Sequence, residues 1–147
     1  MLPDATFEDD AGDAGYDLLI VPGGDTDHAE ADVGTIQWLI RQAALSGIVA
    51  SVCTGAFLLA KAGILRAETV TTHWEGTAAL ASAYPSLTVV ENVRWLNSGD
   101  VYTSAGISAG IDLSLHLVQV LTSADRAHRT AKQMDYRWLV NGQAPAA

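Results

Sequence analysis

The sequence predicts an α/β domain built on a parallel sheet, and three stretches carry that reading. Residues 16–21, YDLLIV, and 48–52, IVASV, are short apolar runs of the kind that form strands covered on both faces. Between them, Val33, Ile36, Leu39, Ile40, Ala43 and Ala44 recur at helical spacing, with Gln37, Arg41 and Gln42 interleaved. Residues 33–46 therefore read as an amphipathic helix closed by Gly47. Strand, helix and strand in this order form a right-handed crossover, which makes the two strands parallel neighbours.

The remaining elements follow in order. Residues 1–15, rich in acids and turn formers, read as an extended lead-in. Pro22, Gly23 and Gly24 stop the first strand, and Asp25, Asp27, His28 and Glu30 follow as a solvated acidic loop without the spacing of a metal motif. After the second strand come Cys53, Thr54 and Gly55, then a helical run over 56–62 that ends at Gly63. Residues 69–72 are β-rich and lead to His73 and Trp74, with His73 expected at the end of a strand of the same sheet. Residues 76–83 read as a helix closed by Pro85. Residues 87–91, 93–96 and 101–103 are β-rich, and the turn formers at 97–100 make the last two a hairpin. Residues 108–121 form a second long amphipathic helix, 124–138 a final one, and 141–147 a frayed tail.

Length and composition bound the function. With 147 residues, 49% of them apolar, and a mean hydropathy of +0.18, one ordinary core and one domain over 1–147 are expected. A formal charge of −9 with only 8 Lys and Arg argues against nucleic acid as a partner, because neutralising phosphates requires a basic patch. The single cysteine excludes an internal disulfide and a Cys-rich metal site and fits a reducing cytoplasm. The acidic start lacks the character of a signal peptide, and no apolar run is long enough to span a bilayer, so no membrane partner is expected.

Cys53 is the residue best placed for chemistry. A thiol at a sharp strand-to-helix turn stands beside unpaired backbone N–H groups, whose partial positive charge favours a thiolate and can hold an oxyanion. A buried inert thiol, packed as a small hydrophobe, is the other reading of a lone cysteine. Among the histidines, His73 at a strand end is the best proton partner. His116 reads as a packed helix residue and His128 as surface. Trp74, Glu75, Tyr102 and Ser104 flank the expected crevice, while Asp112 reads as structural, an acid in the first turn of a helix.

Four motifs, VPGG at 21–24, SVCTGAFLLAKAGIL at 51–65, TTHW at 71–74 and YTSAGISAGIDLSLHLV at 102–118, closely resemble the ThiJ/PfpI superfamily, within the class I glutamine amidotransferase-like proteins. The resemblance implies a flavodoxin-like three-layer sandwich with a mostly parallel sheet and a nucleophile elbow at Cys53. It implies catalytic roles for Cys53, Thr54 and His73, an oxyanion hole from the amides of Gly24 and Thr54, and substrate contacts from Gly23, Trp74 and Ser104. Within the superfamily the motifs look most like isonitrile hydratases, which add water to an isocyanide to give an N-substituted formamide, and the sensing domains of AraC-type regulators. Members with protease or chaperone-like activity often have His directly after the cysteine, where this chain has Thr54. A ligand-sensing domain without catalysis and a glyoxalase or deglycase are the alternatives to the hydratase. No cofactor and no metal are expected, since thiolate, amides and water suffice. A small-molecule substrate and a homodimer are implied. Family members carry a strand, a helix and another strand ahead of the part matched by residues 1–13, and that helix supplies an acid beside the cysteine. An N-terminally shortened domain lacking this acid, with a strand edge open to pairing, is therefore expected.

Overall fold

The computed structural model describes residues 14–140. Of the expected lead-in over 1–15, residues 1–13 lie outside the described residues and 14–15 are exposed and in no helix or strand; the expected frayed tail over 141–147 lies outside them.

The chain enters the sheet at β1 (Leu18–Val21), turns through a short helix α1 (Asp27–Ala31), crosses by α2 (Val33–Leu45) and returns as β2 (Ile48–Val52). The crossover has the expected parallel register, with Leu18 opposite Ile48 and Val21 opposite Ser51. Asp32 caps the start of α2 by accepting from the Thr35 N–H at 2.7 Å, a contact that satisfies one orphan donor of the first turn. The far end is closed by Ser46 rather than Gly47: the Ser46 N–H donates to the Gln42 carbonyl at 2.9 Å and its hydroxyl does so at 2.8 Å. A second correction concerns the acidic loop, part of which is α1. There the Thr26 hydroxyl donates to Glu30 Oε1 at 2.7 Å across one turn.

Beyond β2 lie α3 (Gly55–Lys61), β3 (Thr69–Val70), a turn of 3₁₀ helix over Trp74–Gly76, α4 (Thr77–Ala83) and β4 (Thr88–Val89). The hairpin β5 (Trp95–Ser98) and β6 (Val101–Ser104) precedes α5 (Ser108–Leu121) and α6 (Ala124–Gln133). The main sheet has the order β1-β2-β6-β5, with β2 and β6 parallel and β5 antiparallel to β6. The turn is tighter than expected, at Gly99 and Asp100, because Asn97 and Ser98 still pair with Tyr102 and Val101.

β3 does not join this sheet. It pairs with β4 in a separate parallel ladder, which corrects the placement of His73 at the end of a main-sheet strand. The Thr71 N–H, next after β3, donates to the Thr103 side chain at 2.9 Å, so a side-chain bond replaces the backbone ladder that would have extended the sheet. The final helix also ends earlier than expected, at Gln133. Asp135 takes a left-handed φ of +50°, which reverses the chain and brings residues 136–139 back onto α5.

Side chains alternate across the sheet as the period of two requires. Leu19, Val21 and Val49 point to one face and pack with Leu39, Leu58, Leu59, Leu65 and Leu80. Ala50 and Tyr102 point to the other and pack with Trp95, Leu113 and Leu117. Helices on both faces give the three layers. β1 is covered unequally on its two faces: Leu19 and Val21 are buried on one, whereas on the other Leu18 is only half-buried against the α5-side cluster and Ile20 is 42% exposed. It is the outer strand of the described sheet, and the apolar cluster beneath α5 is centred on β2, β6 and β5.

One buried pair fastens the α5 side. Asp112, fully buried, accepts from the Arg94 guanidinium and from the Leu139 N–H at 3.0 Å. Trp138 Nε1 donates to the Asp112 carbonyl at 3.1 Å, and the Tyr136 hydroxyl donates to the Ser108 carbonyl at 3.2 Å. Asp112 is structural as expected, but its work is to bind Arg94 and the returning chain rather than to complement the helix dipole.

Candidate active site

The site grows from the junction of β2 and α3. Cys53 leaves the sheet with φ +59°, a left-handed conformation that a side-chain-bearing residue adopts at a cost of order 1–3 kcal/mol. The surroundings hold it there. The Cys53 N–H donates to the Ser104 carbonyl at 3.1 Å, and the Thr72 hydroxyl donates to the Cys53 carbonyl at 2.8 Å. The side chain is half-buried and its thiol is free. The turn is thus pinned on both sides by the strand end of β6 and by the loop that follows β3.

Thr54 meets the VPGG loop. The Gly24 N–H donates to Thr54 Oγ1 at 2.9 Å, and that hydroxyl donates to the Gly24 carbonyl at 2.8 Å. The hydroxyl proton is therefore spent, leaving one lone pair for a ligand or water. The Gly24 N–H is engaged with Thr54 in this conformation. The glycines are required for two different reasons. A Cβ on Gly23 would stand 2.6 Å from the Thr54 nitrogen, and Gly24 has φ +132°, which L side chains rarely adopt.

His73 stands on the loop between β3 and α4. Its Nδ1 is 3.5 Å from Glu75 Oε2, and its ring tilts against Trp74 with centroids 5.7 Å apart. Gly106 backs the imidazole so closely that a Cβ there would lie 2.3 Å from His73 Cδ2. His73 divides two cavities. One, of about 510 Å³, is lined by Gly24, Thr54, Phe57, His73, Glu75 and Tyr84 together with the acids of the α1 region. The other, of about 640 Å³, runs past Trp74, Arg94 and Ile107. The first holds the elbow residue Thr54 and its Gly24 partner, so it is the crevice of interest at the C-terminal ends of β1 and β2, the place where open α/β sheets bind ligands.

The structure brings Gly23, Gly24, Cys53, Thr54 and His73 to this end of the sheet. Trp74, 74% exposed, faces the second cavity. Ser104 is fully buried; its carbonyl holds the Cys53 amide and its hydroxyl donates to the Ala105 carbonyl at 3.2 Å. Tyr102 is a correction, since it lies in the α5-side core against Trp95 and His116. His116 is half-buried and stacks on Trp95 at 4.2 Å, and His128 is exposed on α6. Among the described residues no three His, Cys, Asp or Glu side chains gather closely enough to hold a metal ion. Sequence reasoning missed Phe57 and Tyr84 as crevice walls, Thr72 as a support of the elbow, and Gly106 as the seat of His73. The threonine pair before His73 and the glycine before α5 were visible signals without an assignable partner.

Fold and site together define a three-layer α/β protein whose single thiol sits on a strand-to-helix elbow. The chain belongs to the DJ-1/PfpI family, whose profile matches residues 1–120. It is 36% identical over 136 residues to the isonitrile hydratase of Pseudomonas putida, covering 91% of this chain and 57% of that protein. It is also 36% identical over 103 residues to the HTH-type transcriptional regulator CdhR of Pseudomonas aeruginosa, covering 69% of this chain and 30% of the regulator. A THiJ/PfpI family protein from Pseudomonas syringae superposes with a TM-score of 0.75 at 29% identity, over 87% of this chain and 55% of that one. The chain thus spans little more than half the length of the hydratase it resembles. No helix among the described residues is long and apolar enough to cross a membrane.

Proposed function

We propose that this domain performs cysteine-dependent hydration of a small electrophile, of the isonitrile hydratase type. The observation that carries the reading is Cys53 at φ +59° between β2 and α3, beside the crevice that Thr54 and His73 line. The likeness to the Pseudomonas putida isonitrile hydratase supports the choice of reaction. The Cys53 thiolate adds to the terminal carbon of R–N≡C, and that carbon takes a proton to give the thioimidate R–N=CH–S. Water then adds to the same carbon, the C–S bond breaks, and R–NH–CHO leaves with the thiolate restored. His73 is the group that moves protons to and from substrate and water, and Thr54 orients the attacking water through its remaining lone pair. The Thr54 N–H, and the Gly24 N–H once it turns from Thr54, stabilise charge that develops on the bound atoms. Gly23 lets the loop lie against the elbow, while Trp74 and Ser104 shape its flanks. A homodimer working in the reducing cytoplasm completes the proposal.

Incubation with a simple alkyl isocyanide, followed by proton NMR of the formamide hydrogen, tests this reading. Wild-type protein is expected to form the formamide and Cys53→Ala to form none. Equal rates from the two would overturn it. The likeness to CdhR favours a second reading, a sensing domain that binds a small molecule in the same crevice without turning it over. Saturable binding in calorimetry, with no product from any isocyanide, would favour that reading.

A further inference from the structure

Thr72 is fully buried, and the proposed reaction gives it no part. Its hydroxyl donates to the Cys53 carbonyl at 2.8 Å. Both residues are held by the end of β6. The Thr103 hydroxyl accepts from the Thr71 N–H at 2.9 Å, and the Ser104 carbonyl accepts from the Cys53 N–H at 3.1 Å. Thr71, Thr103 and Ser104 are each 2% exposed or less, so the place of the Thr72 hydroxyl beside the elbow is set by the sheet rather than by a surface loop.

A bond to a carbonyl also constrains the next amide. The peptide joining Cys53 to Thr54 is trans, since no cis peptide occurs among the described residues, and in a trans peptide the C=O and N–H lie in one plane and point in opposite directions. Holding the Cys53 carbonyl towards Thr72 therefore directs the Thr54 N–H away from Thr72. Thr72 lines the larger cavity, and Thr54 lines the crevice. The Thr54 N–H bonds to no protein acceptor among the described residues, whereas the Cys53 and Gly24 N–H groups are both engaged. Gly23 leaves the Thr54 nitrogen uncovered, since a Cβ there would stand 2.6 Å from it. Without the Thr72 donor the Cys53 carbonyl loses its partner, and the peptide plane can rotate about the bonds on either side, carrying the Thr54 N–H with it.

On the reading that the Cys53 thiolate adds to an unsaturated carbon, we propose that Thr72 is a positioning residue for that step: its hydrogen bond to the Cys53 carbonyl aims the Thr54 N–H at the atom that takes up charge as the C–S bond forms. Thr72 touches neither the substrate nor the sulfur. It acts through one peptide plane.

Two reactions at the single thiol separate this role from mere support of the fold. With p-nitrophenyl acetate the thiolate adds to the ester carbon and the carbonyl electron pair moves onto oxygen. Collapse of that oxyanion breaks the C–O bond, releasing p-nitrophenolate and leaving S-acetylated Cys53. With iodoacetamide the thiolate displaces iodide from a saturated carbon, and no oxyanion forms. Both rates are measured on the full chain, with the rate of Cys53→Ala subtracted. Thr72→Val is expected to lower acylation about tenfold and to change alkylation less than about twofold. Thr72→Ser, which can rebuild the bond, is expected to stay within about twofold of the wild type in both. Thr72→Ala removes the same donor without adding bulk and is expected to show the same split as Thr72→Val, so the test does not depend on one variant folding. In formamide formation the loss is expected in kcat, with KM little changed. Equal losses in acylation and alkylation, no loss in either, no rescue by Thr72→Ser, or no Cys53-dependent acylation of the wild type would overturn the inference. A wild type that shows the acylation split but forms no formamide would sink the proposed reaction and leave the role of Thr72 standing. Formamide formation equal in wild type and Thr72→Val would do the reverse.

Discussion

The Thr54 hydroxyl and the Gly24 backbone are hydrogen-bonded in both directions, at 2.9 Å from the Gly24 N–H and 2.8 Å to its carbonyl. The clasp ties the elbow loop to the loop after β1. Thr54→Val keeps the shape and removes both bonds, so it is expected to cost about 1–2 kcal/mol of stability in urea denaturation and to lower formamide formation. Thr54→Ser can rebuild both bonds and is expected to retain most of each property.

Gly106 seats His73, because a Cβ there would come 2.3 Å from the imidazole Cδ2. Gly106→Ala is expected to displace the ring and lower formamide formation about tenfold or more, since small misplacements of a catalytic group are costly. If the effect acts through His73, adding Gly106→Ala to His73→Ala brings little further loss, and the double-mutant cycle shows strong coupling. Additive losses would contradict that route.

The ion pair of Arg94 and Asp112 anchors the chain that returns after α6. Asp112→Asn leaves the guanidinium, 18% exposed, without its counter-charge. A loss of about 3 kcal/mol is expected, with faster hydrogen exchange in residues 136–139. Denaturant titration and exchange mass spectrometry measure the two effects.

His116, stacked on Trp95 and tilted against Tyr102, is held by burial below its ordinary value of 6.5. The folded state therefore prefers neutral imidazole, while the unfolded chain takes up a proton more readily. The contribution of His116 to stability is complete above its unfolded value and is lost as the pH falls below about 6.5, levelling off beneath its folded value. The midpoint of thermal unfolding is expected to fall between pH 7 and 5, with a shallower slope in His116→Phe. An equal slope in the two proteins would contradict the assignment.

Much of this architecture was legible in local pattern. The apolar runs at 16–21 and 48–52, and the helical spacing between them, carried the parallel crossover, because those elements are set by periodicity. The elbow was legible as well, since Cys53, Thr54 and Gly55 interrupt a strand pattern just before a helical one. What stayed hidden depends on partners distant in sequence. The diversion of β3 rests on the bond from Thr71 to Thr103, 32 residues away. The end of α6 at Gln133 rests on Asp135 at positive φ and on the capture of Leu139 by Asp112. Exposure of Ile20 could not be read from YDLLIV, because a run of apolar residues looks the same whether one face or both are covered. The lining of the crevice was half legible: the acids at 25, 27 and 30 stood out, but their meeting with Glu75, Phe57 and Tyr84 is tertiary.

The central claim is that Cys53 is the group that attacks the substrate, and the single thiol makes a direct measurement possible. Titrating the protein with iodoacetamide, scoring the labelled fraction by intact mass, and assaying formamide formation from an alkyl isocyanide on each sample relates activity to the free thiol. Activity is expected to fall in proportion to labelling and to reach zero at one equivalent. Hydration that persists after complete labelling, or that is absent from the unlabelled protein, would contradict the account.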